Sequence, residues 1–400
     1  MRTIITKILP VLLILSSACS SKPSDEEVPA SDSGQQKPVY SSLGTIETED
    51  DIIVPFNTTV RLETLSEDDM AVLDPVFQEE MLYTAKLFDR RHFYNDLINL
   101  ASVNASYGSE IPCVTDSALF HLLEMGIELT ELTDGKFNIT IGAVYDLWKD
   151  RFSPFPIEGE DPAAEDIEAA LACVVSPAEI RNVIELNPAD STVTFHAYDG
   201  CEGSVIIDAG AIGKGYAVDL AGEKLSSYDL PFLINSGSSS ILSHTPEGIQ
   251  KDWYIGIRNP YARVYTLFDY RLTGSGVFTA SGDDSSYFIL QTKDGPVIRH
   301  HILNPATGYP ENYLRSAILS GSSAGWLTDA LTTALFSCRS DEERLDMIRR
   351  AEQKYNVPLC YAWFEETSEE HGKLTASAEF RNQIIEESIS ENVTEITEAE

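Results

Sequence analysis

Basic residues are scarce in this chain: Lys and Arg number 28 against 64 Asp and Glu, a formal net charge of -36 over 400 residues. Such a charge repels phosphate backbones and anionic lipid surfaces, which argues against nucleic acid as a partner. A phosphate-bearing ligand would need a local Lys, a helix N-terminus or a divalent cation to overcome that field. Gly (24) and Pro (19) are too few for a collagenous or low-complexity chain, and 43% hydrophobic residues mark a folded protein with a sizeable core. The six cysteines show no CxxC spacing, which removes a zinc site and a full disulfide framework. No repeat of about 20 to 50 residues is present. The apolar run from Ile8 to Leu15 is too short to span a bilayer.

That run reads as an export signal, preceded by Arg2 and Lys7 and followed by Leu15-Ser16-Ser17-Ala18-Cys19. Small residues directly before a Cys resemble the lipobox of bacterial lipoproteins, in which cleavage leaves Cys19 lipid-bearing at the new N-terminus. Ser16 stands where Leu is usual, with Leu15 one place back. The expectation is export and lipid attachment at Cys19, anchoring the protein at the outer face of a bacterial cell membrane, on the periplasmic or extracellular side. Residues 1–18 are then the signal and 19–51, rich in Ser, Pro, Gly and acid, a flexible tether. Residues 52–382 form the body, and 383–400, with six Glu and no base, a solvated acidic tail. The five cysteines beyond Cys19 allow at most two bridges and leave most thiols buried and inert.

Within the body, Phe56 to Leu65 alternates as a strand does, while Pro75 to Arg90 and Thr115 to Leu132 carry helical spacing. Further strands are expected at Thr192 to His196, Ser204 to Ile207, Phe232 to Ile234, Trp253 to Arg258, Tyr265 to Leu272, Tyr287 to Gln291, Val297 to Leu303 and Leu359 to Phe364, with a hairpin turn at Lys293-Asp294-Gly295. Helices are expected at Gly215 to Ser226, Ala324 to Ser337 and Asp341 to Tyr355. Irregular alternation of this kind predicts an α+β fold of antiparallel or mixed sheets packed with helices.

Four segments could carry chemistry. Asp208-Ala-Gly210-Ala211-Ile-Gly213-Lys214-Gly215 follows a strand pattern and opens a helix, so freed amides and one Lys offer an anion a seat. Its glycine spacing fits neither common nucleotide-loop motif, and a purely structural turn stays open. Asp329 and Thr333, four apart in an apolar helix, share one face. Carboxylate and hydroxyl, with a loop carbonyl, make the hard-oxygen set that Mg²⁺ favours when phosphates complete its shell; a solvated Asp with a back-bonded Thr is the alternative. His301 ends a strand in His300-His301-Ile-Leu303-Asn304-Pro305, a rigid place for a general base, although a core His would serve equally. Gly135-Lys136-Phe137-Asn138, followed by Tyr145 and Trp148, offers aromatics beside amides, suited to a ring-shaped ligand or simply to a core.

In this order the segments resemble the FAD:protein FMN transferases, the ApbE family, and especially its lipoprotein members. Gly135-Lys-Phe-Asn138-Ile-Thr-Ile-Gly142 resembles G-x-F-D-x-T-x-G, and Asp208 to Asp219 resembles D-x-G-x-x-x-K-G-Y-A-V-D. Ile234-Asn235-Ser-Gly237, Trp253 to Pro260, Ser281-Gly282-Asp283 with Tyr287-Phe288, His301 to Gly308 and Asp329-Ala-x-x-Thr333 complete the set. Asn138 and Asn304 stand where Asp is usual, Ser238 replaces a Gly, and Asp284 replaces a Tyr.

The resemblance implies an ApbE-like (T-fold-like) body. It also implies Mg²⁺-dependent transfer of the FMN half of FAD, through its phosphate, onto a Thr or Ser hydroxyl of a target protein, with release of AMP. By position, Ala211 (through its carbonyl), Asp329 and Thr333 would hold the metal. Phe56, Tyr94, Lys136, Phe137, Asn138, Asp208, Lys214 and Leu303 would contact FAD, with Asn104 and Ser281 in support. His301 is the expected general base, with Asp283 second. FAD hydrolysis to FMN and AMP, and flavin capture without turnover, are the alternatives.

Overall fold

The computed structural model describes residues 38–399 apart from 49–51, 96, 238 and 263; the signal, Cys19 and the first part of the tether lie outside the described residues. The strand expected near Val60 is Val60–Thr64, second in a nine-stranded sheet. In spatial order the strands are Val39–Ser42, Val60–Thr64, Phe232–Ser236, Ser240–His244, Gly276–Gly282, Ser316–Gly321, Leu359–Ser368, His371–Ala376 and Val393–Glu398. Neighbours pair antiparallel except the last two, which run parallel. With ten α-helices among the described residues, the α+β class is the one expected.

Side chains alternate across this sheet and both faces are buried. Ile234, Ala317, Leu319 and Trp363 enter one core, which the helices Glu67–Leu87, Gly213–Ser226 and Gly325–Leu335 cover with Leu73, Phe77, Ala217, Ala221, Leu327 and Leu331. Leu233, Ile318, Ala362 and Phe364 enter the other, closed by Phe380 and by the antiparallel ribbon of Asp252–Arg258 with Thr266–Thr273. This double burial explains why Gly276–Gly282 and Ser316–Gly321 escape pattern reading. A strand covered on both faces shows no polar alternation.

The expectations for the ends need correction. Val39–Ser42 pairs with Val60–Thr64, and Ile46–Glu47 with Ile52–Ile53, so the later part of the supposed tether belongs to the fold. The acidic end is likewise a sheet edge and not a detached tail. Val393 and Ile396 pack against the second core, while Glu395 and Glu398 stay exposed. Charge on an edge strand opposes further pairing, which gives this acidity a structural role. The first long helix starts at Glu67, not Pro75, because Ser66 Oγ accepts from Asp69 N at 3.1 Å and three acids fill the first turn. Ser204 to Ile207 supplies only an isolated bridge, Ile206 to Ile141.

Cys173 and Cys201 form a disulfide across 28 residues, and Cys113, Cys338 and Cys360 are free thiols. Closing a loop of that length restricts the unfolded chain by about 3–4 kcal/mol. Cys173→Ser is therefore expected to lower the free energy of unfolding in denaturant by that amount; an unfolding curve unmoved by the substitution would contradict it.

Candidate functional site

Two helices cross where their first turns meet. Gly213–Ser226 has no side-chain cap from its own entry, and its Gly215 N donates to Asp329 Oδ2 of the other helix at 3.0 Å. In return Asp219 accepts from Gly325 N and Trp326 N, each at 2.9 Å, at the start of Gly325–Leu335. The approach requires glycine: a Cβ on Gly215 would meet the Gly325 carbonyl and stand 2.8 Å from Asp329 Cβ. Ahead of the crossing, Asp208 shapes the bend. Its Oδ1 accepts from Gly210 N at 2.7 Å and its Oδ2 lies 2.5 Å from Arg90 Nε. Lys214 Nζ donates to the Gly210 carbonyl at 3.0 Å and stands 4.0 Å from Asp329 Oδ2.

This crossing borders a cavity of about 920 Å³ whose wall includes Phe56, Asp208, Ala211, Lys214, Ser281, His301, Leu303, Asp329 and Thr333. Five stretches distant in sequence thus meet at one site. Phe56 and its neighbour Asn57 are held left-handed (φ 54 and 53), a local strain of the kind that concentrates at ligand clamps. Asp329 is only 2% exposed, so solvent does not balance its charge. Thr333 Oγ1 donates to the Asp329 carbonyl over a long 3.4 Å. His301 Nδ1 lies 3.3 Å from the Ser286 carbonyl, which can only accept. That nitrogen therefore carries the proton and Nε2 keeps its lone pair. Burial, reinforced by the charge of Lys214, lowers the His301 pKa to about 4, leaving the ring neutral near pH 7.

Other expected residues do not border the cavity. Phe137 is packed in the main core, and Lys136 Nζ lies 3.8 Å from Glu343. Asn138 closes its own loop, donating to the Val175 carbonyl at 2.9 Å and accepting from Thr140 N and Oγ1 at 2.9 and 2.7 Å. That loop carries Ile141 and Tyr145 to the cavity instead. Tyr94 donates its hydroxyl to Asp89 Oδ2 at 2.8 Å, and Asn104 spends its amide on both backbone groups of Ile207. Asp283, the second choice for a base, is 1% exposed, lies 2.5 Å from Arg315 Nε and is not among the residues of the cavity wall. Burial raises its pKa to about 7 despite the guanidinium. Cys19 lies outside the described residues.

Sequence reasoning passed over the cations. Arg90, Arg91, Arg258 and Arg315 line the cavity with Lys214, making five of the 28 basic residues. The Arg90-Arg91-His92 run in so acidic a chain was the available signal. Arg90 also pairs through both terminal nitrogens with Asp146, at 3.0 and 2.9 Å. His92 Nδ1 lies 2.7 Å from Asp89 Oδ2. Asp284, in place of the expected aromatic, sits on the wall 3.8 Å from Arg258 Nη1.

Among the described residues no group of three His, Cys, Asp or Glu side chains is arranged for a metal. The set of Ala211, Asp329 and Thr333 is of another kind: a carboxylate and a hydroxyl side chain beside a small residue whose backbone carbonyl is a third oxygen, all from residues of the same wall. Its chemistry, with a buried carboxylate that no cation contacts closely, fits a hard divalent ion whose remaining ligands come from a phosphate or water.

Five cations, a buried carboxylate and a hydroxyl around one cavity are groups that can receive a cation-bridged phosphate ligand. Residues 56–358 match the ApbE family, and the chain belongs to that family. Among relatives, the FAD:protein FMN transferase of Treponema pallidum is 28% identical over 284 residues, spanning 66% of this chain and 71% of that protein. The enzyme of the same name from Klebsiella pneumoniae is 27% identical over 274 residues, 66% and 78% of the two chains. The ApbE protein of Thermotoga maritima shares the fold at a TM-score of 0.65 and 23% identity, over 87% of this chain and all of that one. The flavin transferase ApbE of Vibrio cholerae does so at 0.61 and 20%, over 87% and 99%.

The helix crossing can be probed directly. Gly215→Ala is expected to lower stability by about 1–3 kcal/mol through overpacking. Gly203→Ala, whose Cβ would meet only Cys173 Sγ at 3.7 Å, serves as a control expected to stay within about 0.5 kcal/mol. Equal unfolding midpoints for the two would contradict the close crossing.

Proposed function

We propose that this chain is an FAD:protein FMN transferase, moving the FMN half of FAD onto a Thr or Ser hydroxyl of a target protein and releasing AMP. The observation that carries the reading is the meeting, on one cavity wall, of a buried carboxylate, a helix-opening glycine bend and a neutral His in a member of the ApbE family. On that wall five cations face five carboxylates, Glu63, Asp89, Asp208, Asp284 and Asp329, so the site is locally balanced in a chain of net charge -36, which lowers the repulsion a dianionic dinucleotide would meet. A Mg²⁺ ion held by the Ala211 carbonyl, Asp329 and Thr333 would neutralise pyrophosphate charge when bound.

The protein's own groups then divide the work. Lys214 Nζ faces the phosphates, while Phe56 and Leu303 flank the rings. His301 Nε2, with its lone pair, takes the proton of the incoming hydroxyl. The hydroxyl oxygen bonds to the FMN phosphorus, the anhydride bond to AMP breaks, and AMP leaves with the bridging oxygen. Asp208, bonded to Gly210 N and Arg90, keeps the bend in shape. Export and lipid attachment at Cys19 are part of the proposal. The Cys173–Cys201 disulfide supports an oxidising compartment, where an exported target protein would be met.

Incubation with FAD, Mg²⁺ and an acceptor protein is expected to raise the acceptor mass by that of FMN less water, with AMP in equal amount. Asp329→Ala is expected to cut the rate by roughly 10² to 10³ or more. AMP formed with free FMN and an unmodified acceptor would instead favour hydrolysis, and flavin binding without AMP would favour simple capture.

The pH profile separates the two candidate bases. With His301 acting, at a pKa of about 4, kcat/KM should hold from about pH 8 down to about pH 5 and fall below that, since the base form is lost only as pH drops through its pKa. An acid limb near pH 7 that disappears in Asp283→Asn would assign the role to Asp283.

A further inference from the structure

We infer that Asp219 is a positioning residue for the cation site: by holding the first turn of the Gly325–Leu335 helix it fixes where Asp329 and Thr333 face the Ala211 carbonyl. The inference rests on the proposed reading of those three residues as ion ligands. Asp219 itself does not border the cavity, so it acts without touching the ligand.

The helix needs this outside help. It is entered through Ala324, held left-handed (φ 70), with no side-chain cap of its own. Its first amides would otherwise be unpaired in a buried setting. Asp219 supplies both acceptors, Oδ1 to Gly325 N and Oδ2 to Trp326 N. Asp329 and Thr333 follow one and two turns later, so a pivot at Gly325 is carried to both. The crossing is closed from the other side, because Asp329 Oδ2 takes Gly215 N from the helix that bears Asp219 and that begins just after Ala211. Each carboxylate therefore sets the place of the other.

Loss of Asp219 should spare the fold. Thr328 Oγ1 is 2.8 Å from Thr279 Oγ1, and Ser281 Oγ donates to Thr332 Oγ1 at 3.0 Å, so the helix stays bonded to the sheet by other contacts. Leu327 and Leu331 keep it in the core. What is lost is the orientation of its N-terminal end.

The test is Mn²⁺ binding by the purified full chain without FAD, followed by electron paramagnetic resonance, alongside thermal melting. Asp219→Ala is expected to weaken Mn²⁺ binding on the order of tenfold or more while melting stays cooperative, in line with the cost of removing a group that orients a metal ligand. Asp219→Asn, which keeps one acceptor oxygen but sets an amide NH2 against the other backbone N–H, should restore only part of the affinity. Gly325→Ala is the second route should Asp219→Ala fail to fold. Its Cβ would stand 2.7 Å from Asp219 Oδ1 and displace the carboxylate, giving the same loss. Unchanged Mn²⁺ affinity in folded Asp219→Ala or Gly325→Ala, while Asp329→Ala loses the ion, would overturn the role of Asp219 alone. Retained Mn²⁺ in Asp329→Ala would overturn the ion reading and this inference with it.

Discussion

A buried carboxylate must be compensated, and much of this molecule is arranged around the compensation of Asp329. A charge taken out of water costs several kcal/mol unless donors or cations surround it. Gly215 N provides one donor at 3.0 Å, and Lys214 stands off at 4.0 Å while bonding the Gly210 carbonyl. That contact is possible only because two glycines let the helices touch, and it orients the carboxylate toward the cavity without neutralising it. The constraint reaches outward through Asp208 and Arg90 to Asp146, so the shape of the bend depends on charges drawn from three parts of the chain.

The local parts of this arrangement were legible in the sequence. Gly213–Ser226, Gly325–Leu335 and Asp341–Tyr355 were expected within two residues at each end, because apolar spacing and glycine or serine at helix starts are local signals. The i, i+4 relation of Asp329 and Thr333 follows from helical geometry alone. The meeting of this pair with the glycine bend and His301 came from the resemblance, and no spacing within either segment encodes it.

What stayed hidden was set by tertiary packing. Gly276–Gly282 and Ser316–Gly321 are buried on both faces and carry no alternation. Asn138 sits in a motif whose side chains build a loop, so its chemistry serves the Val175 carbonyl and Thr140. Asp283 is drawn into a pair with Arg315, 32 positions away in the chain. Val393–Glu398 reads as a solvated tail because an edge strand exposes its charged side chains, and only the pairing with His371–Ala376 reveals it.

The cavity wall balances cations and acids in an otherwise strongly acidic chain, and its identity as a flavin dinucleotide site is the central claim. A crystal structure of the full chain grown with FAD and Mn²⁺, with anomalous scattering used to locate the ion, tests it most directly. The account predicts one anomalous peak among the Ala211 carbonyl, Asp329 and Thr333, bonded to the diphosphate of a flavin nucleotide that lies between Phe56 and Leu303. An ion bound elsewhere, or flavin density outside this cavity, would contradict it.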